Sequence, residues 1–219
     1  MTDFALARRN MVDGQLRPNR VTNTALLAVL GELPRERFLP DAVRSVAYAD
    51  EDVPLGGGRY LMEPMVLARL VQTLQPQPED KALVVGAGRG YGAALLARLA
   101  QAVTALESDP VLAATGEQTA KDLGLAGVQW ITGKLEQGVP ASAPYDVILI
   151  EGAVRQVPQA LFDQLAEGGR LAVTIAGAAG ALGVAQIFVK DGGVTSGRPL
   201  FEAGTPLLPG FASPPRFTF

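Results

Sequence analysis

The sequence predicts an α/β fold: an open, doubly wound sheet of seven mostly parallel strands, an antiparallel hairpin on its edge, and an N-terminal helical cap. Three observations carry this. Residues 82–99, ALVVGAGRGYGAALLARL, pass from an apolar run through three glycines into an alanine- and leucine-rich stretch, the pattern of strand, tight loop and helix. From residue 81 onward, short apolar runs alternate with stretches of helical periodicity. Near the end, GVAQIFVK and VTSGRPLF flank DGG, a glycine turn between two strands.

Residues 2–16 read as a helix with Phe4, Ala7, Met11 and Leu16 near one face and Arg8, Arg9 and Asp13 on the other. Thr22 or Asn23 caps a second helix that runs through Leu30 and stops at Gly31. Pro34 and Pro40 bracket an irregular PRERFLP segment, and residues 41–50 have room for a helical turn. DEDVPLGGGRY, from Asp50 to Tyr60, reads as a glycine- and acid-rich loop with little order of its own. Pro64 opens a helix through Leu74. This leading part contributes no obvious sheet.

The core strands then fall at 82–86, 102–107, 128–132, 145–151 and 171–176, followed by the hairpin pair. Between them, helices run to about residue 100, from Ser108–Pro110 to near Gly124, and over 158–165. Leu171 to Val189 carries no charged side chain and raises a membrane question. Thr174, Gly177, Gly180, Gly183 and Gln186 interrupt it, so strand, turn and strand fit better. The tail PLLPGFASPPRFTF alternates the apolar anchors Leu207, Leu208, Phe211, Phe217 and Phe219 with turn residues. It is expected to wrap the surface, with partner docking as the rival reading.

Composition removes several classes of chemistry. The chain has 219 residues, 48% of them hydrophobic, enough to bury a sizeable core. A net charge of −3 argues against a protein that works by neutralising nucleic-acid phosphates. There is no cysteine and no histidine, so thiolate nucleophiles, Ser-His-Asp triads and imidazole general bases are excluded. No metal is expected, since Glu151 has no second acid beside it. The N-terminus is charged early and lacks an apolar core of signal-peptide type, so a cytoplasmic setting is expected.

The glycine loop is the most informative feature. Gly86, Gly88 and Gly90 follow the first core strand, and their missing side chains let the backbone turn tightly and let a ligand lie against it. Glu107 ends the next strand, 19 residues after Gly88, where a carboxylate can accept both hydroxyls of a ribose. Loop and acid together read as a nucleoside-cofactor site at the carboxyl ends of the first, second and fourth core strands. The plain alternative is a tight turn beside a solvated Glu.

Seven strands with a terminal hairpin, a glycine loop and a ribose acid resemble the S-adenosylmethionine-dependent methyltransferase fold. The segments MVDGQLRPNRVTNTALLAVLGELPRERFLP, AYADEDVPLGGGRYLMEPMVLARL, GAGRGYGAALLA and PYDVILIEGAVRQVPQALFDQLAEGGRLAV are similar to protein-L-isoaspartate O-methyltransferases, over roughly residues 10–190. The resemblance implies one domain over 1–219: a helical cap and substrate-side loop (1–78), a cofactor-binding core (79–190), and an edge strand with a Pro-rich tail (191–219). It implies S-adenosylmethionine as cofactor, held by Gly86, Ala87, Gly88, Gly90, Tyr91, Glu107 and the position of Lys134. It implies methylation of the α-carboxyl of isoaspartyl residues in a protein or peptide substrate, as damage repair. The expected partners include no nucleic acid and no membrane, and the expected state is a monomer or homodimer.

Several positions depart from the family's pattern. Where the family carries T-I-S-x-P, this chain reads Tyr60, Leu61, Met62, Glu63, Pro64, so Met62 replaces a hydroxyl implied to contact substrate and methyl donor. An acid often found in the first core strand is Val84, and the acid that would hold the adenine amine is Lys134; Glu136 is near enough to compensate. Glu151 is gained at the end of the fourth core strand, facing the expected methyl-transfer pocket. It is either a solvated or capped strand-end residue, or a contact to an acceptor or to the cofactor's amino group. Asp146 starts the same strand and is expected to be structural, and Trp130 to be core. Asp50, Glu51 and Asp52 form an acidic run, either solvated or tuning the field near the pocket. Three functions stay open: the family's carboxyl methyl transfer, methyl transfer to another acceptor, and a non-catalytic binding or regulatory protein. Residues 50–62 are expected to be mobile when empty and ordered when ligand is bound, a lid that excludes water.

Overall fold

The chain is described here from a computed structural model, which covers residues 2–125, 127–178 and 181–211. Helix α1 (Phe4–Met11) is capped by Asp3 and continues as a π-helical turn, Val12–Leu16, which keeps Met11, Val12 and Leu16 buried. Helix α2 (Thr24–Glu32) is capped by Asn23, whose side chain accepts from the Leu26 N–H. It runs past Gly31, where the sequence reading stopped it: a Cβ there would meet nothing, so the glycine is tolerated rather than required. Arg8, expected on the solvent face, is half-buried instead and bonds Tyr48, Glu36 and the Glu32 carbonyl. A 3₁₀ turn, Arg35–Phe38, fills the proline-bracketed segment, and a second, Asp41–Val46, supplies the helical turn expected within 41–50.

The segment expected to be a disordered glycine loop is a two-stranded antiparallel hairpin, β1 (Val53–Gly56) and β2 (Arg59–Leu61). Its order has a physical cause. Val53, Leu55, Arg59 and Leu61 are buried on one face, and Gly56, Gly57 and Gly58 take the positive φ values that the turn needs. Helix α3 (Pro64–Leu74) follows, with Val66, Leu67, Leu70, Val71 and Leu74 buried. Each such side chain contributes about 1.5–3 kcal/mol of apolar transfer.

The main sheet contains β3 (Lys81–Val85), β4 (Ala102–Glu107), β5 (Val128–Thr132), β6 (Tyr145–Val154), β7 (Leu165–Ile175), β8 (Gly183–Asp191) and β9 (Val194–Ala203), in the order β5-β4-β3-β6-β7-β8-β9. The first five are parallel; β8 and β9 are antiparallel. Helices α4 (Tyr91–Leu96), α5 (Pro110–Asp122) and α6 (Gln159–Asp163) connect them. Strands β6 and β7 are longer than the apolar runs suggested, and the GGR segment lies inside β7 rather than in a turn. Leu171 to Val189 forms strand, connection and strand, with Gly180 outside the described residues. Among the described residues no helix is long and apolar enough to cross a membrane.

Alternation along the strands divides the core. Val84, Leu149 and Ala172 face the cap, against Leu16, Leu26, Phe38 and Leu67. Leu83, Val85, Ile148, Ile150 and Val173 face the other layer, with Leu161, Leu208 and Phe211. Asp146 is structural as expected: its carboxylate accepts the Lys81 N–H at 2.8 Å at the amino end of the sheet. The chain winds from β3 outward to β5 and returns to β6. That reversal beside β3 places the glycine loop at the carboxyl ends of the strands, where open α/β sheets bind ligands. After β9, residues 205–208 cross these ends and pin to β6, through Ala153 N–H to the Pro206 carbonyl (2.9 Å) and Leu208 N–H to the Ala153 carbonyl (2.8 Å). Tail residues 212–219, with Phe217 and Phe219, lie outside the described residues.

Candidate cofactor and acceptor site

Gly86, Gly88 and Gly90 have φ of 78°, 56° and 89°, values that disfavour any residue with a side chain. Gly86 and Ala87 donate to the Leu106 carbonyl, which bends the chain out of β3 immediately after Val85. Gly90 is the N-cap of α4; a Cβ there would lie 2.7 Å from the Trp130 ring. Trp130, expected in the core, therefore fills the gap between Gly90 and Gly116.

Glu107 ends β4 and is completely buried. Its Oε2 accepts from Gly88 N–H (2.6 Å) and from Arg59 Nη2 (2.9 Å) and Nε (3.3 Å). Its Oε1 accepts from the N–H groups of Ser108 (2.7 Å) and Asp109 (3.0 Å) and from Ser108 Oγ (3.2 Å). Burial alone would push this carboxyl up; the Arg59 guanidinium and the Asp109 and Gly88 N–H groups outweigh it and hold it below the usual carboxylate range. The acid reads as ribose-binding by position, yet its lone pairs are taken by the protein itself.

Arg59 was not singled out from the sequence, and it is central here. It is 3% exposed and also donates to the Gly86 carbonyl at 2.5 Å. Its partner in covering the loop is Leu208. A Cβ at Gly86 would lie 2.8 Å from Arg59 Nη2 and 3.0 Å from Leu208 Cδ2, and one at Gly152 would lie 2.4 Å from Leu208 Cγ. Leu55 takes the corresponding place at Gly88, 2.8 Å away. Three side chains from the hairpin and the C-terminal segment thus line the glycine cradle. The only sequence signal for Arg59 was an arginine directly after three glycines, which carries no chemistry by itself.

Glu151 lies in β6 where the register against β7 shifts between Leu149 and Ala153. Strand alternation puts it on the same face as Val147 and Leu149, toward the cap. The expectation of a solvated or capped strand-end residue is corrected: Glu151 is 4% exposed, and Oε1 has no hydrogen-bond partner. Burial pushes its carboxyl up to about 8, against the pull of Arg59 and Arg35. It packs against α4 at Gly92, where a Cβ would lie 2.1 Å from Oε1. Met62 is also buried, and its carbonyl accepts from Arg35 Nη2. Met62, Glu151, Gly152, Arg59, Tyr60 and Thr205 line one small cavity.

The remaining residues divide between two places. Tyr91 turns into the core, its ring 5.4 Å from Phe38 and under the Arg35 guanidinium at 5.0 Å; burial pushes its hydroxyl up to about 12. Lys134 is exposed on an open cleft of about 400 Å³ with Ser108, Thr132, Glu136 and Pro209, beyond the end of β5. In the acidic run, Asp52 accepts the Glu63 N–H at 2.9 Å. Burial, then Asp50 and Asp52, push Glu63 up to about 7.

A sequence model of the family described as protein-L-isoaspartate(D-aspartate) O-methyltransferase matches residues 7–200. Among curated relatives, a protein-L-isoaspartate O-methyltransferase of Koribacter versatilis is 40% identical over 175 residues, covering 80% of this chain and 79% of the relative. One from Methanoregula boonei is 40% identical over 172 residues, covering 78% and 79%. A solved protein-L-isoaspartate O-methyltransferase superposes with a TM-score of 0.81 at 26% identity, over 93% of this chain and 67% of that one. A Plasmodium falciparum structure, described as a putative member and solved with S-adenosyl-L-homocysteine, shares the fold at a TM-score of 0.80 and 19% identity, over 93% and 98%.

Proposed function

Because the chain belongs to the protein-L-isoaspartate O-methyltransferase family, we propose that it transfers the methyl group of S-adenosylmethionine to the α-carboxyl of isoaspartyl residues in proteins or peptides. The observation that carries the reading is Glu107, ending β4 with Oε2 2.6 Å from the Gly88 N–H at the switch point of the sheet. The donor set suits the cofactor. A ribose needs an acceptor for its hydroxyls, and Glu107 is the acid there. The methionine part needs close backbone approach, which Gly86, Ala87, Gly88 and Gly90 permit. Lys134 and Glu136 line the cleft at the adenine end, whereas Tyr91, read from the sequence as a cofactor contact, turns its side chain into the core against Phe38 instead. Arg59, Leu55 and Leu208 must move aside for that fit.

When bound, the cofactor supplies an electrophilic methyl group on a sulfonium. The protein's own residues then have little proton chemistry to do, because the acceptor carboxylate is already ionised at pH 7. That suits a chain without histidine or cysteine. The hairpin and the 205–208 segment exclude water, and Glu151 and Met62 shape the acceptor side. A cytoplasmic setting and a monomer or homodimer belong to the same proposal, as does the single-domain division at residues 78 and 190.

Met62 gives a direct test of the acceptor side. Its thioether cannot donate the hydrogen bond of the family's hydroxyl. Met62→Ser is expected to raise the rate on an isoaspartyl peptide by about tenfold, the worth of one recovered hydrogen bond. An unchanged or lower rate would mean that the hydroxyl plays no part in this chain.

A further inference from the structure

Arg59 stands beside two buried carboxylates and pairs with one of them. Its guanidinium bonds Glu107 and the Gly86 carbonyl. Glu151 lines the same cavity and is left with an unpartnered oxygen. A buried carboxyl oxygen without a partner calls for an explanation. The groups around it narrow the choice. From β2 comes Arg59, the largest electrostatic influence among the charged groups; from the 3₁₀ turn comes Arg35, whose Nε and Nη2 bond the Ala47 and Met62 carbonyls while its Nη1 has no partner. From β4 comes Glu107, a like charge; α4 offers only the Gly92 N–H, and the C-terminal segment only the Thr205 hydroxyl.

We propose that Glu151 is the second seat of Arg59: when the ribose of the methyl donor takes Glu107, the guanidinium leaves that acid and pairs with Glu151. This rests on the cofactor reading above. It accounts for two features together. Displacing Arg59 without a second partner would strand a buried cation, which is costly. A buried acid with an unpartnered oxygen gains a partner when a cation reaches it. The long side chain can change seats by rotating its own stem, with the hairpin backbone staying in place.

The exchange has a proton signature. Burial holds the Glu151 carboxyl at about 8, so in the free protein at pH 7 it is mostly protonated. Pairing with a guanidinium requires the ionised form. Binding therefore releases about one proton, and affinity rises about tenfold per pH unit below pH 8 and levels off above it.

Calorimetric titration with S-adenosylhomocysteine at pH 7, in two buffers of different ionisation enthalpy, reads this directly. The native chain is expected to release about one proton per ligand. Glu151→Gln is expected to release none, to bind about tenfold more weakly at pH 8, and to lose the pH slope. Arg59→Met, which removes the competitor for Glu107, is expected to bind more tightly than native and also to release none. Should that variant fail to fold, Glu151→Gln carries the test, since a neutral amide of the same shape resembles the protonated acid. Binding with no proton release, or with release unchanged in Glu151→Gln, overturns the exchange and leaves the cofactor reading standing. No binding by native, Glu151→Gln or Arg59→Met overturns both.

Discussion

Glu107 and Glu151 are both buried carboxylates at strand ends, and their neighbours drive them in opposite directions. Glu107 has a guanidinium and three backbone N–H groups, and stays ionised. Glu151 has burial and an unpartnered oxygen, and takes up a proton. Glu107→Gln keeps the shape but loses the charged acceptor, so S-adenosylhomocysteine should bind more weakly by about 1.5–3 kcal/mol in a calorimetric titration. Unchanged affinity would reject the ribose assignment. For Glu151 the sign follows from its raised value: the native state holds the proton more tightly than the unfolded chain, so this group's contribution to stability falls as pH rises from about 4.5 to about 8 and is flat above. Glu151→Gln should therefore match the native melting temperature near pH 4.5. At pH 8.5 it should be the more stable of the two, by an amount on the order of a few kcal/mol. A constant difference across that range would contradict the protonated, buried state. The position of Glu107 was legible because loop, helix and strand lengths fix it. The burial of Glu151 was not, because it depends on what covers that strand end, α4 at Gly92 and the hairpin carrying Arg59, and local periodicity does not announce such long-range packing.

At the scale of elements, the hairpin differs from its reading because it is short and glycine-rich, so local propensity favours loop, while its order comes from a distant partner, Arg59 on Glu107. The segment after β9 packs along β6 through residues 206 and 208 on Ala153, in keeping with a tail that wraps the domain. The hairpin has paired strands and an anchor in Arg59 on Glu107, where the sequence reads a mobile lid. Its amides over Val53–Leu61 should be protected in hydrogen exchange without ligand, and protection near Arg59 should change when S-adenosylhomocysteine saturates the site. Free exchange throughout 53–61 in the absence of ligand would show that the Arg59 anchor does not hold it. Leu208 carries a second prediction. Leu208→Ala removes a side chain seated against Gly86 and Gly152. It should cost about 2–4 kcal/mol of stability while tightening S-adenosylhomocysteine binding several-fold, since less must be displaced. A loss of stability with unchanged affinity would mean that Leu208 is only core.

Across the whole molecule, the sheet from β3 to β9 was readable because parallel strands buried on both faces appear as continuous apolar runs, and β4 and β5 coincide with the predicted spans. What escaped was the way the two ends of the chain meet over the carboxyl edge. The N-terminal hairpin brings Arg59 and Leu55 down onto the glycine loop, and the C-terminal segment brings Leu208 from the opposite side. Such a closure is a sum of long-range contacts, each unremarkable in sequence. Family membership fixes the chemistry expected of the edge, and Met62, Lys134 and Glu151 are the positions at which the proposed site departs from the resemblance. The most direct test is transfer of labelled methyl from S-adenosylmethionine to a peptide containing isoaspartate, beside the same peptide containing aspartate. The account predicts a base-labile methyl ester on the isoaspartyl peptide alone, lost or strongly reduced in Glu107→Gln. Failure to label either peptide, or equal labelling by Glu107→Gln, would contradict it.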